Sequence, residues 1–257
     1  LIVSRTSSTK LLVESVLKNK YPIKKFIQAS AIGYYGLTSA ETAFKENDKA
    51  GDDFLAQLTI AWEKELEPLV ENTMNVLIFR IGVVLSNKSG ALVAMMKPVK
   101  MFAGAALGSG KQMLPWIHID DLVSIFIMGI EETTLVGTYN AVAPNPVSNK
   151  ELTKGIGTAI KRPIWPIPVP SFLLKIILGE QAQIVLKGNK VSAKKIIDAG
   201  YRFKYPVIKE AIENLLKQEG KPMYKKEVFD TLKQSGIEGG YSTFKTAVQE
   251  MIEAGTL

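Results

Sequence analysis

The chemistry available to this sequence sits in a few short stretches. The first, FIQASAIGYYG (26–36), closes an apolar run with the adjacent tyrosines Tyr34 and Tyr35, flanked by Gly33 and Gly36. Within it, Ser30 carries a hydroxyl that can hydrogen-bond a bound oxygen or satisfy backbone groups at a strand end. Trp62 and Glu63 place a ring that can stack on a sugar or base face beside an acid/base carboxylate. Their alternatives are core packing for Trp62, in register with Leu55, Leu58 and Leu66, and solvation for Glu63 next to Lys64. Arg80 interrupts the apolar run FRIGVVL, and a charge there needs a partner, either a phosphate or carboxylate ligand or an internal aspartate. Lys111 and Gln112 follow glycines in LGSGKQ and could line a phosphate-bearing substrate, or belong to a flexible loop. His118, followed by Asp120 and Asp121, could polarise a hydroxyl, or sit buried against a carboxylate that caps a helix.

Composition limits the reactions these groups can serve. The chain has 257 residues, 46% of them hydrophobic, which is ample for a buried core. It has no cysteine and one histidine, so disulfides and thiolate chemistry are excluded and no metal site is expected. The net charge of +7 is spread along the chain without an arginine-rich block, so a solvated lysine-rich surface is expected rather than a nucleic-acid partner. No stretch approaches the ~20 uncharged apolar residues of a membrane span, so no membrane association is expected. A cytoplasmic location is the default.

The elements that must position these groups alternate. SSTKLLVESVLKNKYP predicts a helix capped by Ser7 or Ser8, and KFIQAS a buried strand. FLAQLTIAWEKELEPLVENT predicts one helix, NVLIFRIGVVL the longest strand, GALVAMMKPVKMF a helix, and GAALGSGKQM a loop. WIHIDDLVSIFIMGIEE predicts a short strand and a helix capped by Asp120 or Asp121, and GTYNAVAP a last strand. This alternation predicts an α/β fold with a parallel sheet. From 148 to 217 the reading changes to helices with proline-rich connections. Residues 218–257 read as two amphipathic helices, part of a winged-helix or helix-turn-helix unit.

SAIGYYG, WEKELEP, FRIGVVL, GSGKQMLPWIHIDDLV, GTYNAVAPNPVSNKEL and LGEQAQIVLKGNKVSAKKIIDAGYRFKYP occur in this order. Together they resemble the epimerase-like branch of the extended short-chain dehydrogenase/reductase superfamily, the sugar-nucleotide epimerase-like proteins that end in a domain of unknown function. The resemblance covers about residues 1 to 217. It implies a Rossmann-type domain for NAD or NADP over 1–147, a C-terminal lobe over 148–217, and an appended helical tail over 218–257. It also implies that residue 1 falls in the helix before the fifth strand. The first strands and the glycine fingerprint for the pyrophosphate then lie upstream of the sequence. The missing N-terminal half, or a second copy of this chain, becomes an expected partner.

Two departures concern catalysis. Members carry a Tyr-x-x-x-Lys pair in which lysine and the cofactor lower the tyrosine pKa. The helix expected to hold it has Trp62 and Glu63 instead, and Tyr21/Lys25, Tyr205/Lys209 and Tyr241/Lys245 lie elsewhere. The usual substrate-binding serine position falls on Ala31, with Ser30 one residue earlier. The resemblance therefore implies Ser30 and Glu63 as catalytic candidates. Ser30, Ala31, Tyr35 and Arg80 are candidates for the cofactor, and Gly33, Tyr34, Trp62, Lys111, Gln112 and His118 for substrate. The expected function is that of an NAD(P)-dependent epimerase/dehydratase-like oxidoreductase homologue acting on a nucleotide-sugar-like small molecule. The alternative is a non-catalytic binding or interaction module that retains a Rossmann remnant.

Overall fold

The computed structural model describes residues 2–38, 42–179 and 182–217; Glu180, the Tyr241/Lys245 pair and the 218–257 tail lie outside the described residues. Helix α1 (Ile2–Asn19) leads into β1 (Lys25–Ala31) and a 3-10 turn (Ile32–Tyr35). Helices α2 (Phe54–Lys64) and α3 (Glu67–Glu71) precede β2 (Asn75–Ile81), β3 (Val83–Leu85) and α4 (Ala91–Lys100). Next come β4 (Ala105–Leu107), β5 (Met113–Leu114), β6 (Trp116–His118), α5 (Ile119–Glu131) and β7 (Gly137–Ala141). The C-terminal part holds β8 (Val147–Ser148), α6 (Asn149–Ala159), β9 (Trp165–Val169), α7 (Ser171–Leu178), α8 (Ala182–Leu186), α9 (Lys194–Asp198) and α10 (Ile208–Lys217).

The expected α/β architecture is present. Strands β1, β2 and β7 form a parallel sheet in that order. Side chains alternate across it because successive residues of a strand point to opposite faces. Leu77, Phe79 and Ile81 enter the main core, where α5 brings Gly129 so close that a Cβ there would lie 2.9 Å from Leu77. Val76 packs in a second cluster with Val13, Val16, Leu66 and Leu69 from α1 and the α2–α3 region. Helices thus cover both faces, which is why these strands read as continuous apolar runs. Smaller pairs flank the sheet: β3 with β6 and β4 with β9, both parallel, and β5 with β8, antiparallel. Among the described residues, no helix is long and apolar enough to cross a membrane.

Four local expectations are corrected. The long strand 75–85 divides at Gly82, whose N–H bonds Ala141 while a Cβ would meet the Pro115 carbonyl oxygen at 2.6 Å. Its second part therefore pairs with β6 instead of continuing the sheet. The helix from Phe54 stops at Lys64, and Pro68 enters the first turn of α3, where its missing N–H costs no intrahelical bond. Helix α1 already runs through Ser7 and Ser8, and the Ser8 hydroxyl donates back to Ser4 O rather than capping. The glycine-rich loop begins as a strand, β4.

Candidate functional site

Strand register sets one polar row across the apolar sheet. Ser30 pairs with Arg80, and Arg80 with Asn140, one residue before the last pair of each ladder. The row thus lies at the C-terminal edge of parallel strands, where open α/β sheets carry their ligand crevices. All three side chains are buried. Glu63, near the end of α2, reaches into the row. Its Oε1 accepts from Ser30 Oγ at 2.6 Å and Arg80 Nε at 2.9 Å, and its Oε2 accepts from Arg80 Nη2 at 2.7 Å. The pair is bidentate, the geometry in which guanidinium and carboxylate bind best. Arg80 Nη1 donates to the Tyr35 hydroxyl at 3.3 Å and to Glu46 O at 3.2 Å. The Tyr34 ring lies 3.3 Å from the guanidinium carbon, a close cation–π contact.

Burial alone would lower the Arg80 pKa, but Glu63 and then Tyr35 outweigh it and raise it, so the cation is permanent. Burial raises the Tyr35 pKa against the opposing pull of Arg80 and Asn140. The phenol stays protonated and donates to Asn140 Oδ1 at 2.7 Å, a fixed wall group rather than a base. Glu63 and Tyr34 are the members of this network that border open space. A cavity of about 490 Å³, lined by Tyr34, Ile60, Glu63, Glu67, Val76 and Ile78 among others, runs from them along β2 beside α2 and α3.

The structure brings together Ser30, Tyr34, Tyr35, Glu63 and Arg80, and separates the other candidates from them. Ala31 ends β1, paired with Ile81, and on the opposite face from Ser30 by alternation. Gly33 faces Leu55 and Thr59 of α2. Gly36 (φ 71°) opens an approach to the chain itself, not to a ligand: a Cβ on Gly51 would lie 2.6 Å from Gly36 Cα. Trp62 turns to α1, donating from Nε1 to Thr9 Oγ1 at 2.9 Å with Arg5 over its ring. Gln112 is buried, its amide donating to Leu107 O and Val185 O, so it ties the 108–112 loop to α8. Lys111 is exposed beside it.

Among the bonds of the described residues His118 shares no partner with this network. It caps α5 itself, its Nδ1 accepting from Asp120 N at 3.0 Å, which corrects the expected aspartate cap. Tyr205 covers its ring at a centroid distance of 4.0 Å. Burial, then nearby Lys204, lowers its pKa to about 3, against a hydrogen bond with Asn214 that raises it. The folded imidazole thus stays neutral where an unfolded one, near 6.5, is protonated. Stability from this group is full above pH 6.5 and falls as pH drops from there toward 3. His118→Asn keeps a cap-forming side chain and is expected to flatten the loss of unfolding free energy between pH 6 and 4, by up to about 1.4 kcal/mol per pH unit. Urea unfolding of both proteins across that range measures it, and parallel pH profiles would refute it.

Several site-building residues had no local signal. Glu46 accepts from Asn140 N with Oε1 at 2.9 Å, and Phe44 stacks on Tyr35 at 5.0 Å, both from the polar loop after the tyrosine turn. Asp53 caps α2 through Ala56 N at 3.0 Å and also accepts from Leu37 N. Asn189 holds the Thr38 N–H and hydroxyl with Oδ1 and donates to Gly36 O. Asparagine between glycine and lysine in a loop reads as an ordinary turn residue.

A dinucleotide needs free backbone N–H groups at a glycine-rich turn for its pyrophosphate. Among the described residues two glycine N–H groups near the crevice are taken: Gly36 N bonds Gly33 O and Gly51 N bonds Tyr34 O. In the later glycine loop, Gly108 N bonds Val169 O and Gly110 N bonds Leu107 O. These residues do not fit the pyrophosphate. What they supply is a crevice wall carrying Tyr34 and Glu63.

Residues 169–215 match the family described as a domain of unknown function, DUF1731. An Arabidopsis thaliana chloroplastic homologue of the epimerase family protein SDR39U1 is 40% identical over 190 residues, covering 74% of this chain and 54% of its own length. Epimerase family protein YfhF of Bacillus subtilis is 37% identical over 217 residues, 84% of this chain and 71% of that protein. The crystal structure of human SDR39U1 with NADPH superimposes with a TM-score of 0.77 at 30% identity, covering 84% of this chain and 73% of that one. A nucleoside-diphosphate sugar epimerase from Corynebacterium glutamicum gives 0.69 at 27% identity, covering 97% and 52%. This chain therefore spans about half the length of the Arabidopsis and Corynebacterium proteins and about seven tenths of the other two. By its parallel Rossmann-type sheet and these identities, the chain belongs to the epimerase family of SDR39U1-like proteins.

Proposed function

We propose that this chain supplies the substrate side of an NAD(P)-dependent epimerase/dehydratase-type oxidoreductase acting on a nucleotide-sugar-like small molecule, with Glu63 as its acid/base group. The observation that carries the reading is the Glu63 carboxylate, held by Arg80 and Ser30 at the C-terminal edge of the parallel strands and bordering a cavity. NADPH in the human relative and the sugar-nucleotide name of the Corynebacterium structure support the cofactor and substrate class. When bound, such a cofactor accepts or donates hydride at a carbon of the substrate.

The chain's own residues do the rest. Oε1 of Glu63 is occupied twice, whereas Oε2 receives one guanidinium bond and keeps acceptor capacity for a substrate hydroxyl. Glu63 is placed to take the proton of that hydroxyl, or to return it in the reverse direction. Ser30 and Arg80 act through Glu63 as positioning residues, fixing the plane of the carboxylate. Tyr34 walls the cavity beside it.

Thermal unfolding with and without UDP-glucose is the first test, since any ligand that binds the folded state must raise the melting temperature. A rise with UDP-glucose that is smaller in Glu63→Gln, whose amide is a weaker acceptor for the substrate hydroxyl than the carboxylate, is the expected result. No rise at millimolar UDP-glucose, or an unchanged rise in Glu63→Gln, would sink the assignment.

A further inference from the structure

A second concave surface lies in the C-terminal part, between α6 and the β4–β9 pair. This groove, about 750 Å³, is lined by Lys150, Lys154, Lys161, Arg162, Ile164 and Trp165 among others, and none of the described residues that line it is acidic. None of these four cations lies within ion-pair distance of a carboxylate among the described residues. Four cations along one groove, from the first turn of α6 to the residues after its C-terminus, repel one another and raise the local concentration of anions.

The bland account, cations placed to suit a helix dipole, covers Lys161 and Arg162 after the C-terminus of α6. It fails for Lys150, which sits in the first turn of the same helix, where positive charge is disfavoured. Lys154 extends the stripe one turn on, at the i,i+4 spacing that puts both side chains on one face. Lys161 adopts φ 56°, the left-handed position that closes a helix and favours glycine, yet the chain places a lysine there.

The far wall is aromatic and held in place. Trp165 donates from Nε1 to Phe102 O at 2.7 Å, yet its residue surface is 60% exposed. The Arg162 guanidinium lies 4.3 Å from the centre of the Phe102 ring. Pro163, Pro166 and Pro168 stiffen the strand that carries the indole. A fixed indole face beside clustered cations matches a ligand with a flat ring and several phosphates. The volume suits one small ligand, and a single exposed ring contrasts with the successive aromatic platforms that track single-stranded nucleic acid.

We propose that this groove binds a nucleoside polyphosphate, with the phosphates on Lys150, Lys154, Lys161 and Arg162 and the base on Trp165. The site shares no residue with the Glu63 cavity and does not rest on the function proposed for it.

ADP titration at low ionic strength, followed by tryptophan emission and calorimetry, tests this. Trp62 and Trp116 are buried, so quenching by a ligand stacked in the groove comes from Trp165. ADP is expected to quench the emission and to bind more weakly as salt is added, and Trp165→Phe is expected to lose the quench. The double variant Lys154→Glu/Arg162→Glu is expected to lose at least 10-fold in affinity. Lys161→Gly removes a charge and relieves the left-handed lysine, so it is expected to weaken binding several-fold with an unchanged or raised melting temperature. Glu63→Gln is expected to bind ADP as the wild type does. Absence of ADP binding at millimolar concentration, or affinity unchanged in the double variant, would overturn the proposal. Tighter binding of oligo-dT than of ADP would overturn it in favour of a nucleic-acid surface.

Discussion

Arg80→Met is expected to lower the unfolding free energy by about 3–5 kcal/mol, the usual range when one member of a buried ion pair is removed. The substitution conserves much of the side-chain length and all of the apolar stem, so packing changes little. What it strips away is four hydrogen bonds: two to Glu63, one to the Tyr35 hydroxyl and one to Glu46 O. Glu63 is left as a nearly buried carboxylate with Ser30 as its remaining donor among those bonds. That uncompensated charge, rather than the lost attraction, dominates the cost. The corollary is that Arg80→Met/Glu63→Met is less destabilised than the sum of the two single variants, by about 1–3 kcal/mol. Urea unfolding of the four proteins closes this cycle. Additive effects, or a cost below about 1 kcal/mol for Arg80→Met, would show that the pair is not the anchor of this edge of the sheet.

Asp121→Ala is expected to cost about 3–5 kcal/mol and to loosen the 201–205 segment from α5, by summing bonds to a buried charged acceptor. The Asp121 side chain is buried and accepts from the Lys204 N–H at 2.7 Å, the Tyr205 N–H at 3.0 Å and the Tyr201 hydroxyl at 2.9 Å. Removing it leaves the Lys204 and Tyr205 N–H groups without this acceptor, while the Tyr201 hydroxyl keeps the Asp121 carbonyl oxygen at 3.0 Å. Burial and then Asp121 raise the Tyr201 pKa, so the phenol remains a donor through the alkaline range. Native-state hydrogen exchange resolves the outcome by position, since the amides of Lys204 and Tyr205 should lose protection before those of β2. Uniform loss across the sheet would mean that the segment does not open as a unit. Tyr205 also covers His118, so opening would expose the imidazole and raise its pKa toward the ordinary value.

Local residue type carried part of this picture and misled elsewhere. Arg80 was conspicuous because an arginine inside an apolar strand must find a partner. Its partner was expected to be an aspartate or a ligand, and is Glu63, 17 residues earlier. Trp62 and Glu63 are neighbours in sequence, but helical geometry turns the first toward Thr9 of α1 and the second toward Arg80. Gly33 is a substrate candidate by resemblance, yet it faces Leu55 and Thr59 of α2, and the close backbone approach in this turn is between Gly36 and Gly51. Glu46 and Asn189 lie in polar loops, where carboxylates and amides are the common case, so nothing in their surroundings marked them.

Apolar periodicity and the alternation of elements suffice for the α/β class and the parallel sheet. Both record which face of each segment avoids water, a property a dozen residues express by themselves. The ordered motifs carry the family in the same way. Which polar groups meet is another matter. Tyr35 and Asn140 are 105 residues apart, Ser30 and Glu63 are 33 apart, and Tyr205 and Asp121 are 84 apart. Each contact depends on strand register, on where a loop folds back, or on how α2 and the 201–205 segment seat on the core. Those are set by the packing of the whole chain at once, and one residue of slip in β2 would turn Arg80 to the opposite face.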